Sequence, residues 1–490
     1  MNNQVAAPRS VNYGDQLPLG IESRSQQKLF FPSTGDKYSG DNNNICRIDI
    51  AYDGLVDFAN SYLKFTMTNN TGHGYQLDMG QPIINRLRIE CGGVVLEDIQ
   101  NYHHLVGGIL TPCQNGMSNN HWDAFNCTQP SSLKVHTQFL TGQVTEDEMN
   151  QTGASQMGLT GAAGSVVRCA NTSDGANVNH FPANPAHRVA PYYQINNAAE
   201  RTFCYKLVSG LLDNDKYIPM VLLNAPITLE ITFATKAESG CGDAHVALAA
   251  QTGDLDLSQV RYVAHTIDLE RSFYDRLRMV QQSSGGVLQI AGTSFRNYTS
   301  NIVGASGSQS ISIPARLRSI KSVFWKIAGD NDINHFGLSA GGHANIQGYQ
   351  IKIGGNTYPP TQVVVNHATN KLTAYVEVQK AFGKMGSTIH SDMLNPSNYL
   401  VDIDGVTDFS QAACSTDGTE NVAAFGPYGL DLESFRHEIE NGVNTSSKAL
   451  PMLLELDQSG AVGADKSVQI FLMYDSLFYI NMDGTISVST

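Results

Sequence analysis

Short runs in which apolar and polar residues alternate recur along almost the whole chain. In ITLEITF (227–233), Ile227, Leu229, Ile231 and Phe233 are set against Thr and Glu, the period-two pattern of a strand with one buried face. ICRIDIA (45–51), SYLKFTM (61–67), INRLRIE (84–90) and VRYVAHTIDL (260–269) read the same way. The second half continues the style with SISIPARL (310–317), IKSVFWKIA (320–328), YQIKIGG (349–355), TQVVV (361–365), VQIFLMY (468–474) and LFYINMDGTISVS (477–489). Asp483-Gly484, between apolar flanks, predicts a hairpin turn. Helical spacing shows mainly in LEDIQNYHHLVGGIL (96–110), through Leu96, Ile99 and Leu105, and in TAYVEVQKAFG (373–383), which ends in glycine. Many short strands with few helices predict an all-β sandwich or barrel architecture.

The pattern also repeats itself. Ile84, Ile89, Gly92 and Gly93 match Ile346, Ile351, Gly354 and Gly355 at a constant offset of 262, each set reading as a strand that enters a Gly-Gly turn. Gly210, Lys216, Pro219 and Met220 match Gly442, Lys448, Pro451 and Met452 at an offset of 232, with each proline placed to open a strand. Two copies of one β-fold are therefore expected. The change of offset assigns the first copy extra residues within 94–209, and 111–200, rich in Asn, Gly, Ser, Thr, Ala and Pro, has the composition of a long surface loop. The expected divisions are an N-terminal arm at 1–44, a first domain at 45–262 carrying that insertion, a linker at 263–282 containing RSFYDRLRMVQQ, and a second domain at 283–490. LFFP (29–32) is the one apolar anchor of the polar arm, which is expected to order on contact with neighbours. A chain of 490 residues exceeds the usual limit of a single core, in keeping with two domains.

Composition narrows the possible partners. The formal net charge is -14 and no segment holds a run of Lys or Arg, so direct sequence-specific binding of nucleic acid is not expected. Charged residues are only 16% of the chain, which suits a surface facing other protein copies and equally suits a secreted protein. No stretch of 18 apolar residues exists, so no transmembrane segment is expected, and the first residues lack the apolar core of a signal peptide. The eight cysteines form no CxxC and fit no zinc spacing, and they read as reduced thiols in a protein assembled inside a cell. Six N-x-S/T sequons, at Asn69, Asn126, Asn150, Asn171, Asn297 and Asn444, arise easily in so Asn- and Thr-rich a chain.

The run SYLKFTMTN followed by INRLRIECGGVVLEDIQNYHHL resembles the opening of the first barrel in the double jelly-roll major capsid proteins of icosahedral double-stranded DNA viruses, with Leu96, Glu97, Ile99, Tyr102 and Leu105 in the characteristic places. YQIKIGGNTYPPTQVVVNHATNKLTAYVEVQKAFG, with Pro359-Pro360 and the Glu377 to Phe382 segment, is similar to the matching part of the second barrel, and GLDLESFRHEIENGVNT (429–445) to a later segment. The likeness is to virophages, polinton-like viruses and their larger relatives. It implies two tandem eight-stranded jelly-roll barrels with a few short helices and long loops. It further implies a virion protein forming pseudo-hexameric homotrimers, contacts with neighbouring capsomers, penton and minor or cement proteins as partners, and no enzymatic activity.

Candidate chemistry is sparse. His103-His104 is the one adjacent histidine pair, but neighbours on a helix diverge by about 100° and cannot easily share a metal. No close His-x-His, GxSxG, HExxH or P-loop occurs, and Gly285-Gly286 and Gly341-Gly342 read as turns. Glu146, Asp147 and Glu148 read as solvated loop acids; Asp254 and Asp256 could join a calcium site, but lone acidic loop pairs are usually structural. No catalytic, cofactor-binding or metal residue is assigned, and no cofactor is expected. The alternative reading is a secreted two-domain β-sandwich that binds carbohydrate.

Overall fold

In the computed structural model the alternating runs become strands whose apolar faces meet inside two barrels. The structure describes residues 22–72, 75–77, 80–113, 194–195, 198–242, 253–303, 307–328, 341–342, 344–366, 370–385, 394, 399–400, 422–423, 426–435, 439–447, 450–459 and 466–490. Most of the 111–200 insertion and the acids at 146–148 lie outside them.

The first barrel is built from β1 (Ser23–Phe30), β2 (Ile45–Ile50), β3 (Leu55–Asn69), β4 (Ile84–Cys91), β5 (Val94–Ile99), β6 (Glu200–Tyr205), β7 (Ile227–Phe233) and β8 (Leu255–Leu269). They form two antiparallel sheets, in the orders β1-β8-β3-β6 and β2-β7-β4-β5. A short helix α1 (Tyr102–Leu105) and a π-helical turn at Val106–Leu110 follow β5. Helix α2 (Arg271–Ser283) leads to the second barrel. This contains β9 (Val287–Ile302), β10 (Ser308–Ile313), β11 (Ile320–Ala328), β12 (Ile346–Ile353), β13 (Asn356–Val364), helix α3 (Leu372–Ala381), β14 (Pro427–Asp431), β15 (Met452–Gln458) and β16 (Lys466–Asn481). Its sheets run β9-β16-β11-β14 and β10-β15-β12-β13. Strand for strand, the second barrel repeats the connections of the first. β17 (Ile486–Ser489) folds back on β16 through the expected Asp483-Gly484 turn.

The ladders test the internal repeat. β7 pairs Ile227 with both Ile50 and Cys91, while β15 pairs Met452 with both Ile313 and Ile353. Cys91 and Ile353 are 262 apart, so the first register is structural, and Gly92 and Gly354 both take positive φ in the turn that follows. Met452, however, is the counterpart of Ile227, not of Met220. Pro219 pairs with Leu55 ahead of a 3-10 turn at Met220–Leu222, whereas Pro451 directly precedes β15. The identities at offset 232 therefore align residues that the fold does not equate.

Two further expectations differ. Residues 23–30, read as part of an arm, are the edge strand of the first barrel, with Ser23 to Phe30 paired to Leu269 back to Tyr262. Correspondingly, β8 runs through Leu269, past the expected end of the domain at 262. The helical spacing at 96–99 belongs to a strand. The pairing of β4 with β5 shifts between Ile89 and Glu90, and this bulge puts Leu96 and Ile99 both inside. Helical structure begins only at Tyr102. The helix expected from TAYVEVQKAFG is present as α3, and Pro359-Pro360 lie on β13, an edge strand that can lack ladder donors.

Candidate assembly interface

The two barrels are joined along a seam where the β5 side of the first meets the β9-β16-β11 sheet of the second. Strand parity builds the second barrel's half of it. On β11, Val323, Trp325 and Ile327 point into that barrel's own core, where Trp325 stacks on Tyr428 at 5.5 Å. Phe324, on the opposite face, joins the core of the first barrel together with Phe471, Phe478 and Ile480 of β16 and Ile486 of β17. Both faces of these strands are buried, as continuous apolar runs require.

Polar groups fix the registration. Asn101, at the start of α1 with φ 48°, donates from Nδ2 to Gln469 Oε1 at 2.9 Å and to Asn297 Oδ1 at 3.0 Å. Asn214 Nδ2 donates to Ala291 O at 2.6 Å, Gln281 Nε2 to Ile480 O at 2.9 Å, and the Asn224 N–H to Gly484 O at 2.9 Å. Gly210 and Gly292 bring the two backbones into direct contact: a Cβ on Gly292 would lie 2.2 Å from Gly210 O. Glu97 supports this loop from below. Its buried carboxylate accepts from Ser209 Oγ, from the Gly210 N–H at 2.9 Å and from the Leu211 N–H at 3.0 Å. Burial pushes its pKa up, against the pull of those hydrogen bonds.

His103 and His104 lie in the same seam. Both rings are buried, their centroids are 4.6 Å apart, and both Nδ1 atoms lack a hydrogen-bond partner among the described residues. Burial lowers His103 to about 4, partly offset by the charge of Glu238, and lowers His104 well below its ordinary value. Lys326 of the second barrel, fully buried, adds to both shifts.

No family model matches this chain, and no curated protein does. Solved structures do. The major capsid protein of Faustovirus covers 95% of this chain and 92% of its own length at 9% identity, with a TM-score of 0.53. The capsid protein in a quasi-atomic model of the PBCV-1 virus capsid covers 98% of this chain and 99% of its own at 10% identity and a TM-score of 0.51. PBCV-1 VP54, fitted into a cryo-EM reconstruction of the virophage Sputnik, gives the same coverage and identity at 0.50. The chain has a double jelly-roll fold. At such identities the likeness is one of fold, and it spans both barrels together with the connection between them.

Within this double jelly roll the remaining candidate residues are tied into the structure. Asp254 accepts from the Leu255 N–H at 2.7 Å and Asp256 from Asn70 Nδ2 at 2.6 Å. Among the described residues, no three His, Cys, Asp or Glu side chains gather as metal ligands. Cys46, Cys91 and Cys204 form no disulfide, and burial pushes the Cys46 thiol up to about 12. Asn69 is buried and Asn297 is engaged in the seam, so neither sequon is open to modification in the folded chain. No described helix is long and apolar enough to cross a membrane. The seam residues themselves carried no signal as a site, because Phe324 and Phe471 read as ordinary strand core.

Proposed function

We propose that this chain is a major capsid protein whose homotrimers, each presenting six barrels, tile the faces of an icosahedral shell in the virion. The observation that carries the reading is the duplicated topology. Two barrels with the same strand connections stand side by side in one chain, joined by a buried seam, so three copies can fill a near-sixfold position. Full-length likeness of fold to capsid proteins of large DNA viruses supports it. The role is structural rather than catalytic, and the net charge of -14 fits a wall that does not itself hold the genome. Neighbouring capsomers, penton proteins and minor or cement proteins are the partners this role requires.

Native mass spectrometry of the full chain, with electron microscopy of the same sample, tests the reading. The expected species has three times the 53.1 kDa chain mass and a six-lobed outline. Monomers that bind glycans would support a carbohydrate-binding protein instead.

A further inference from the structure

A cavity of about 790 Å³ lies where the two barrels meet, beside the close approach of Gly210 and Gly292. Its size falls within the range of about 300–1,000 Å³ that small-molecule sites occupy. The packing explains the space. The Gly210–Gly292 contact holds a loop of the first barrel against β9 of the second, and β9 offers only Ala291, Gly292 and Thr293 beside it, side chains too short to fill the gap.

The lining comes from both barrels and is chemically divided. Leu110, Leu207 and Val208 of the first barrel supply apolar wall, as do Phe295, Phe382 and Ile439 of the second. Lys206, Lys216 and Lys384 bring three positive charges against the two carboxylates of Asp213 and Asp215. The lining is thus cationic in a chain whose net charge is -14. Asp213 is taken up by Lys206 at 2.5 Å. Lys384 donates to Cys113 O, tying the end of the π-helical segment to the residues after α3. Lys216 is exposed at the mouth and makes no ion pair among the described residues. The ring of Phe382 is covered by Phe324, with centroids 4.4 Å apart, and by Lys384 Nζ at 5.8 Å, so it offers no free face on which a planar group could stack.

We infer that this cavity binds a long-chain carboxylate, a fatty acid, with its head at Lys216 and its alkyl chain running inward between Leu207, Val208, Phe295 and Phe382. An aliphatic chain suits apolar walls that give no stacking surface, and the lysine at the mouth meets the carboxylate without leaving water. Each methylene withdrawn from water adds to affinity. Because both barrels line the site, the bound chain bridges them and holds the seam closed.

Titration of the full chain with octanoate, decanoate and dodecanoate, each below its micelle concentration, tests the assignment. Native mass spectrometry should show one dodecanoate per chain, and the thermal midpoint should rise with its concentration. Affinity should climb by roughly fourfold per methylene, the equivalent of burying one CH₂. Dodecanol, which lacks the charge, should bind about tenfold more weakly or worse. Lys216→Glu should keep the parent midpoint, lose dodecanoate affinity by about tenfold or more, and bind dodecanol as the parent does. Val208→Trp should block the path of the chain and abolish binding of both; if it fails to fold, Lys216→Glu decides alone. A parent chain that takes up no dodecanoate would overturn the assignment. So would several equivalents per chain, or dodecanoate binding that Lys216→Glu leaves unchanged.

Discussion

The side-chain amide of Asn101 donates to Gln469 across 2.9 Å, linking residues 368 positions apart and belonging to different barrels. Asn101 also sits in the left-handed region, which costs a residue with an ordinary Cβ about 1 kcal/mol or more. Asn101→Gly should lose only the hydrogen bonds, about 1–3 kcal/mol if the buried acceptors are left unmatched. Asn101→Ala should lose those and gain the backbone strain. Denaturant unfolding of the two variants should therefore rank Ala below Gly, the reverse of the usual order within a helix.

Gly292→Ala should be costly although the residue is not in a turn. The new Cβ would overlap Gly210 O, a backbone atom that can move only with its loop. Overpacking of this kind costs about 1–3 kcal/mol. Calorimetry should show the loss. An unchanged midpoint would mean that the barrels do not approach each other this closely.

Acidification should loosen the seam through His103 and His104. Their folded pKa values lie below the unfolded value, so the unfolded chain binds more protons as pH falls from about 6.5 towards 4. Stability is present above that window and declines through it as the two buried imidazoles are forced to take up protons. Replacing both histidines with Gln should flatten the dependence of the unfolding midpoint on pH across that interval. A slope that persists unaltered would place the responsible groups elsewhere.

Glu97 should act in the opposite sense. Its pKa is raised in the folded chain, so its favourable contribution is complete below the carboxyl's ordinary range and declines as pH rises. Glu97→Gln keeps the shape but presents an N–H group to the donors of Gly210 and Leu211, which should lower stability by about 1–3 kcal/mol. That deficit should be larger at pH 4 than at pH 8, a comparison that thermal melts at the two values can make.

The sequence displayed the barrels more clearly than their joint. Ile227 to Phe233 alternates because one face meets a core and the other meets water, and the alternation is visible at once. Ser23–Phe30 does not alternate. Ser23 to Lys28 are polar throughout, and the segment is a strand because Leu269 back to Tyr262 supplies a ladder. The apolar character of Phe324 and Phe471 showed that both faces of their strands are covered. It could not show that one cover is the other barrel, since seam and core use the same side chains. The match of Pro219 with Pro451 misled for a related reason: proline marks the approach to a strand in general, and nothing in it says which strand. Asn101 carried no signal, because its three partners come from strands almost two hundred residues or more downstream.

The position of β16 also bears on how the protein is made. It lies between β9 and β11, both of which leave the ribosome long before it does. Until it arrives, the nascent chain holds two open strand edges and an incompletely covered β5 side of the first barrel, the kind of surface that invites aggregation. Synthesis of this protein should therefore depend on chaperones that shield unfinished sheets, and ribosomes stalled between β11 and β16 should yield insoluble product.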